Sequence, residues 1–419
     1  MADAVAVTNA ADVAIAGAGP AGATLALLLG RAGLRVDLYD AHRFPREKPC
    51  GEGILPAGVA VLERLGLREE VGGRVLRTLC YEGFGLTATS PFGPPGTFAL
   101  AQRRRRLDQV LVDAARATPG VRLFEESMVE GVERRAGRVT GLRVGGQARP
   151  AGLVVGADGL ASRVRRSLEL ERPSPRAGRV GARMHFRLAP GRDAGDRLTI
   201  YVGRGHELYA APLPEGELLL AGLSGPGGWA DGARTAFARW IAEAPSLSAL
   251  LDGAEPISPP AGRNGLARRA RAGWVPGAVL LGDAAASTDP LTAGGISHAL
   301  VTAEHLAAVV PDVLANGDGV LARFDRERRR LLRAHDWLTA GLVAIVGRPV
   351  LAHAAMRLMR GAPRLMRRLV EVGGGVAIQP PIQPPWPAPS AAAASSSEAL
   401  AISSATDQKA ILPQRAESP

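Results

Sequence analysis

Three glycines, Gly17, Gly19 and Gly22, punctuate the stretch Ala11-Asp12-Val13-Ala14-Ile15-Ala16-Gly17-Ala18-Gly19-Pro20-Ala21-Gly22 and constrain this chain more than any other feature. A short apolar strand runs into the turn, and a helix-forming run, Ala23 to Leu29, leaves it. A second strand, Arg35 to Tyr39, ends on Asp40. This is the order of elements in a dinucleotide site. The first glycine permits a tight turn, the second lets the backbone approach a pyrophosphate, and the third lets helix and strand pack closely. The unpaired N–H groups of the helix start face the phosphates. Asp40, 23 residues after Gly17, stands where a carboxylate accepts hydrogen bonds from ribose hydroxyls.

The 419 residues, 46% of them apolar, suffice for a large core and for two domains. Aromatics make up only 4%, so aliphatic side chains and alanine must fill much of that core. The only two cysteines, Cys50 and Cys80, exclude a disulfide scaffold and a cysteine-rich metal cluster, so no metal site is expected. A reducing, cytoplasmic setting follows. The N-terminus has Asp3 and no basic region before an apolar stretch, which does not read as a signal peptide, and no run is long and uncharged enough for a spanning helix. The net charge is +11. The arginines are scattered, without aromatic-interleaved modules, so no nucleic-acid partner is expected. The basic stretches Arg326 to Arg330 and Arg357 to Arg368 suit an anionic membrane surface, anionic ligands or solvated helix faces.

Residues 10–45 read as a βαβ unit. Pro56 to Leu65 and Leu107 to Ala117 are helical, and Val121 to Val144 alternates around glycine turns in the manner of β-hairpins. Strand-like segments recur between Gly181 and Leu223 and predict an antiparallel sheet apart from the nucleotide unit. Gly295 to Val310 and Val320 to Ala334 predict long helices, and Val350 to Val370 a surface helix pair interrupted at Pro363. Residues 376–419 are Pro/Ala/Ser-rich and read as a disordered tail.

Two further motifs follow the glycine turn. One is Ala157-Asp158-Gly159 with Ser162-Arg163-Val164-Arg165. The other is Gly282-Asp283-Ala284-Ala285 with Asp289-Pro290 and Gly294-Gly295-Ile296. The ordered trio, spanning residues 10–345, resembles the para-hydroxybenzoate hydroxylase-fold flavoproteins, among them aromatic monooxygenases and geranylgeranyl reductases. The resemblance implies an α/β fold: a Rossmann-type FAD-binding domain (10–78, 101–178 and 277–345) with an interleaved α+β substrate domain on a mainly antiparallel sheet (79–100 and 179–276). A C-terminal helical segment, 346–375, follows. It implies FAD as cofactor. Gly17, Gly19, Pro20, Gly22 and Asp40 would hold its ADP half, Asp158 would lie where cofactor and nicotinamide route meet, and Asp283 would reach the ribityl chain. Pro290, Gly294, Gly295 and Ile296 would pass the isoalloxazine, where a helix start stabilises the anionic reduced ring. Arg43, Arg104 and Val129 join the cofactor set by the same likeness. Cys50 and Gly51 belong to Lys48-Pro49-Cys50-Gly51-Glu52-Gly53, which is similar to a geranylgeranyl reductase segment lining the cofactor's inner end.

The activity this implies is that of an FAD-dependent monooxygenase. NAD(P)H would be the transient co-substrate and molecular oxygen a partner. A flavin C4a-hydroperoxide would hydroxylate or epoxidise an apolar, aromatic or lipid-like small molecule. The alternative is a flavin-dependent reductase of prenyl or related double bonds, favoured by the Cys50 segment. Ala211 and Leu213 count against it, because they stand where those reductases carry tryptophan and phenylalanine. No catalytic residue is fixed. His185 and Tyr209 are candidates, each either facing the substrate or satisfied within the core. Peripheral contact with an anionic membrane is a further expectation, and the oligomeric state is left open.

Overall fold

The protein is described from a computed structural model, which covers residues 10–172, 178–376 and 378. The tail read as disordered, 376–419, lies outside the described residues except for Val376 and Ile378.

The glycine turn sits where the sequence puts it, between the strand Ala11–Ala16 and helix α1, Pro20–Arg31. Ala11–Ala16 is the centre of a parallel sheet, flanked by Val36–Tyr39 on one side and Gln147–Gly156 on the other. Ala278–Leu280 adds beyond Gln147–Gly156, and Val121–Phe124 adds beyond Val36–Tyr39, both in parallel. Parallel strands buried on both faces need continuous apolar runs, and Val13, Ile15, Leu38, Leu153, Val155 and Val279 supply them.

The hairpin reading of Val121 to Val144 is half right. Val129–Arg135 and Arg138–Val144 form a hairpin. Val121–Phe124 instead completes a βαβ crossover. Two more helices, α2 (Pro56–Leu65) and α3 (Arg104–Arg116), precede it, and α3 packs on α1 and returns the chain to the sheet. A strand that follows a crossover helix enters parallel to its neighbour.

A second sheet stands apart. Val180–Arg187, Glu217–Ser224, His206–Pro212 and Arg197–Val202 pair antiparallel in that order. Thr78–Gly83 joins Arg197–Val202 in parallel and carries Leu86–Pro91 as its hairpin partner. Alternation divides the residues of His206–Pro212. Leu208 and Ala210 pack under Phe237 and Trp240, whereas Tyr209 and Ala211 point to the opposite face.

The C-terminal part is helical. α4, Gly295–Asn316, packs on α1 and α2. α5, Gly319–Val346, runs beyond the predicted end at Ala334, because the apolar run Leu338 to Val346 continues the helix. α6, Pro349–Gly361, and α7, Pro363–Gly374, meet at Ala362 and lie over Leu86–Pro91. The architecture is therefore a Rossmann-type α/β domain joined to a mixed α+β domain with a largely antiparallel sheet.

Candidate functional site

A cleft opens between the two sheets, at the carboxyl ends of the parallel strands, where open α/β sheets bind ligands. Its empty volume is about 1770 Å³, the open mouth included.

The glycine turn forms one end. Gly17 has φ +100°, and an added Cβ would lie 2.5 Å from the Ala157 carbonyl oxygen. The first motif thus bears on the second, and only glycine fits between them. Gly22 presses on the Gly17 carbonyl in the same way. Gly19 is open to the cleft. Its nearest neighbours in the Cβ direction are the guanidiniums of Arg46 and Arg104, at 3.7 and 3.9 Å. Asp40 stands behind the turn, 7% exposed. Its Oδ2 accepts the Ala18 N–H at 2.8 Å, and its Oδ1 accepts the His42 N–H at 2.9 Å.

Two guanidiniums flank Gly19, and Lys48 stands by Gly159, its Nζ 3.3 Å from where a Cβ there would lie. Arg104 gives two 2.8 Å hydrogen bonds to Asp108, and Arg46 reaches the same buried carboxylate at 3.1 Å. Lys48 has no ion-pair partner among the described residues. Burial, followed by the nearby Arg104 and Arg46, pushes its pKa down. Two guanidiniums at an open glycine and a helix N-terminus form a cradle that fits a pyrophosphate, and Lys48 adds a further positive charge on the same cleft.

Arg165, 1% exposed, links the two later motifs. It donates to the carbonyls of Leu160 at 2.7 Å and Ala284 at 3.0 Å. Asp283 lies on the cleft wall beside it. Asp289 accepts the Leu291 N–H at 3.2 Å and fixes the Pro290–Thr292 turn. That turn leads into α4. Gly295 at the helix start has open space before it, and Gly294 is pressed against His298 and His335. Those two rings meet edge-on at 4.1 Å. Burial, then His335, holds His298 well below the usual imidazole range, and burial pushes His335 down to about 4. Both stay neutral at physiological pH. The helix start therefore presents free N–H groups without a competing charge, which suits an anionic ring.

The substrate sheet closes the other side. Tyr209 lines the cleft, and its hydroxyl donates to the Leu291 carbonyl. His185 is fully buried behind the wall. Its Nε2 lies 2.8 Å from Glu52, and its Nδ1 is 3.1 Å from Ser258. Glu52 itself lines the cleft and accepts the Arg104 N–H at 3.1 Å. The histidine thus braces the Cys50 loop against the substrate sheet. Cys50 lies on the wall, its sulfur accepting the Glu52 N–H at 3.4 Å.

Most of the residues singled out in the sequence converge here. Gly19, Pro20, Cys50, Gly51, Arg104, Asp283, Pro290, Gly295, Ile296 and Tyr209 line the cleft. Gly17, Gly22, Asp40 and Gly294 shape its backbone from behind. Four do not reach it, His185 behind the wall among them. Arg43 is exposed in the loop after Asp40, and Val129 is buried in the core behind the sheet. Asp158 turns to the helix Arg163–Ser167, accepting the N–H groups of Arg163 and Val164. Sequence reasoning quoted Arg165 only as part of a motif, and it missed Arg46 and the buried contacts of Arg179 to Glu207 at 2.8 Å and to Asp289 at 3.1 Å. Burial, only partly offset by Arg179, raises the Glu207 pKa to about 7. Arg46 and Arg179 have no local signal, since Asp108, Glu207 and Asp289 are distant from them in sequence.

A phosphate-ready glycine turn, an anion-seeking helix start and a cleft between two sheets define a dinucleotide-dependent oxidoreductase. The family description "FAD binding domain" matches residues 10–217. The menaquinone reductase of Mycolicibacterium smegmatis is 31% identical over 322 residues, covering 70% of this chain and 74% of that protein. The 6-methylpretetramide 4-monooxygenase of Streptomyces rimosus is 37% identical over 170 residues, 37% of this chain and 40% of that protein. A flavoprotein/dehydrogenase from Cytophaga hutchinsonii superposes with a TM-score of 0.77 at 21% identity, covering 87% of this chain and 93% of that one. The chain belongs to the FAD-binding oxidoreductases of the para-hydroxybenzoate hydroxylase fold.

Proposed function

We propose that the protein is an FAD-dependent reductase of double bonds in an apolar, chain-bearing substrate, with NAD(P)H as reductant. The observation that carries this reading is a second, narrow apolar pocket, whose empty space of about 570 Å³ includes its open mouth. Leu198, Tyr209 and Ala293 line both this cavity and the cleft. It continues between Leu79, Phe92 and Ile200 on the sheet and Leu342, Met366 and Val370 on the helices. A narrow, aliphatic extension suits a hydrocarbon chain, because apolar contact is its only means of recognition. The likeness to a menaquinone reductase over most of both chains supports the same class.

Bound FAD supplies two-electron transfer between a reductant and an organic substrate and, with oxygen present, oxygen transfer. The chain's own groups hold it. The turn at Gly17, Gly19 and Gly22 and the cations Arg46 and Arg104 take the pyrophosphate, and Asp283 takes the ribityl chain. The α4 start stabilises charge on the ring, and Tyr209 holds the Leu291 turn that separates cleft from cavity. We assign residues 10–78, 101–178 and 277–345 to cofactor binding and 79–100 and 179–276 to substrate. The free thiols of Cys50 and Cys80 suit a reducing, cytoplasmic setting.

A second reading is monooxygenation, with molecular oxygen as co-substrate and hydroxylation or epoxidation of an apolar aromatic or lipid-like molecule. The likeness to the pretetramide monooxygenase favours it, as does the absence of large aromatics at Ala211 and Leu213. Turnover with NAD(P)H and menaquinone as the probe separates the two. Reduction predicts, under strict anaerobiosis, a product whose side chain has gained two hydrogens that remain after the quinone ring is reoxidised in air. A product gaining one oxygen atom, formed only in air, replaces it with the second reading.

A further inference from the structure

The arginine-rich helix pair α6–α7 has an unusual outer face. Its inner residues Ala352, Met356, Met366 and Val370 are buried in the core that includes Leu79, Ala88 and Phe92. His353 stacks on Phe84 at 5.5 Å and fastens α6 to the sheet. The apolar residues left outside are therefore surplus to packing. Among the described residues, six large hydrophobic side chains are exposed, and four of them are Val350, Leu351, Leu358 and Leu365. Interleaved with these are Arg348, Arg357, Arg360, Arg364, Arg367 and Arg368, all exposed, against one acid, Glu371. Glu371 meets Arg368 at 3.5 Å. Arg357, Arg360, Arg364 and Arg367 have no ion-pair partner among the described residues.

We propose that the outer face of α6–α7 docks on an anionic phospholipid bilayer, setting the apolar cavity beneath it against the lipid. Exposed leucines enter the acyl boundary while arginines lie along it and reach the headgroups. The charge excess gives the sign of the partner, and the leucines distinguish a bilayer from a purely polar polyanion. The helices lie on the surface rather than cross it, at 13 and 12 residues, against the roughly 20 a span needs. The cavity they roof, lined by Met359, Met366, Leu369 and Val370, then receives a chain directly from lipid. This last step rests on the apolar-substrate reading; the docking itself does not.

The test uses FAD-replete, full-length protein sedimented with phosphatidylcholine vesicles, with or without phosphatidylglycerol. At low ionic strength the bound fraction should be about tenfold higher on the anionic vesicles, since each surface arginine adds to the attraction. It should fall towards the neutral value near 1 M salt, where screening is within ~3 Å. The triple variant R360E/R364E/R367E should lose the anionic preference while keeping its flavin absorbance. The double variant L358S/L365S should bind more weakly with the same preference. The proposal is overturned if FAD-replete protein does not bind anionic vesicles at low salt, if the triple variant binds as the parent does, or if duplex DNA displaces the protein from the vesicles. Because binding is read without turnover, failure of the reductase reading leaves this result intact, and the converse holds.

Discussion

Gly22 and Asp108 show how single residues set this site. An added methyl at Gly22 collides with the Gly17 carbonyl, so Gly22→Ala must shift the turn, and we expect it to lose about 1–3 kcal/mol together with most of its FAD affinity. Denaturant melts and a flavin titration check both. Asp108 is fully buried between Arg104 and Arg46. Asp108→Ala leaves two buried guanidiniums uncompensated and should cost about 3–5 kcal/mol; a variant as stable as the parent would refute the cradle's geometry. Asp40→Ala should weaken both fold and FAD binding, because Asp40 holds the Ala18 N–H. Asp283→Ala, on the half-buried cleft wall, should weaken FAD alone. The histidines add a pH dependence. Burial, then Arg239, lowers the His206 pKa from 6.5 to about 4. Between those values the unfolded chain takes up a proton that the folded one refuses, so stability falls as pH drops from 6.5 towards 4. Glu207 acts oppositely, favouring the fold below 4.5 and losing that contribution as pH rises towards about 7. His206→Phe, which keeps a ring to stack on Trp240, should flatten the acid slope in urea melts taken across that window.

Elements are joined at close contacts that local pattern does not reveal. Ser297 on α4 accepts the Leu55 N–H at 2.8 Å, and a Cβ at Gly58 on α2 would lie 2.6 Å from its hydroxyl. Gly58→Val should force α2 from α4, lowering stability by about 1–3 kcal/mol and loosening the Cys50 loop that precedes α2; a melt and a flavin release rate read the two effects. The glycine turn was legible because its spacing is local, and Gly22 answers a steric demand from Gly17 five residues before it, even though Gly17 itself is pressed by the distant Ala157. The α4 start was legible for the same reason. The pairing of Val121–Phe124 depended on the crossover before it, and a four-residue apolar segment does not declare its neighbour. His185 reads alone as a candidate for chemistry, and only the fold brings Glu52 to it. Asp158 shows the reverse: a motif aspartate is engaged as a helix cap, and Arg165 makes the link between motifs.

At the scale of the molecule, two sheets share one ligand space. The parallel sheet supplies a charged end suited to a dinucleotide, and the antiparallel sheet with the C-terminal helices supplies an apolar end. Among the described residues no helix is long and apolar enough to cross a membrane. If the glycine turn with Arg46 and Arg104 takes the pyrophosphate, as proposed, the ADP half of the cofactor is the main anchor. The most direct test is calorimetric titration of flavin-free protein with FAD and, separately, with FMN, which lacks the ADP half. The account predicts about one non-covalent FAD per chain, released by acid, and binding of FMN weaker by two orders of magnitude or more, as expected when several charge-assisted hydrogen bonds of roughly 1.5–3 kcal/mol each go unmade. FMN binding as tightly as FAD, or no uptake of either by folded protein, would contradict it.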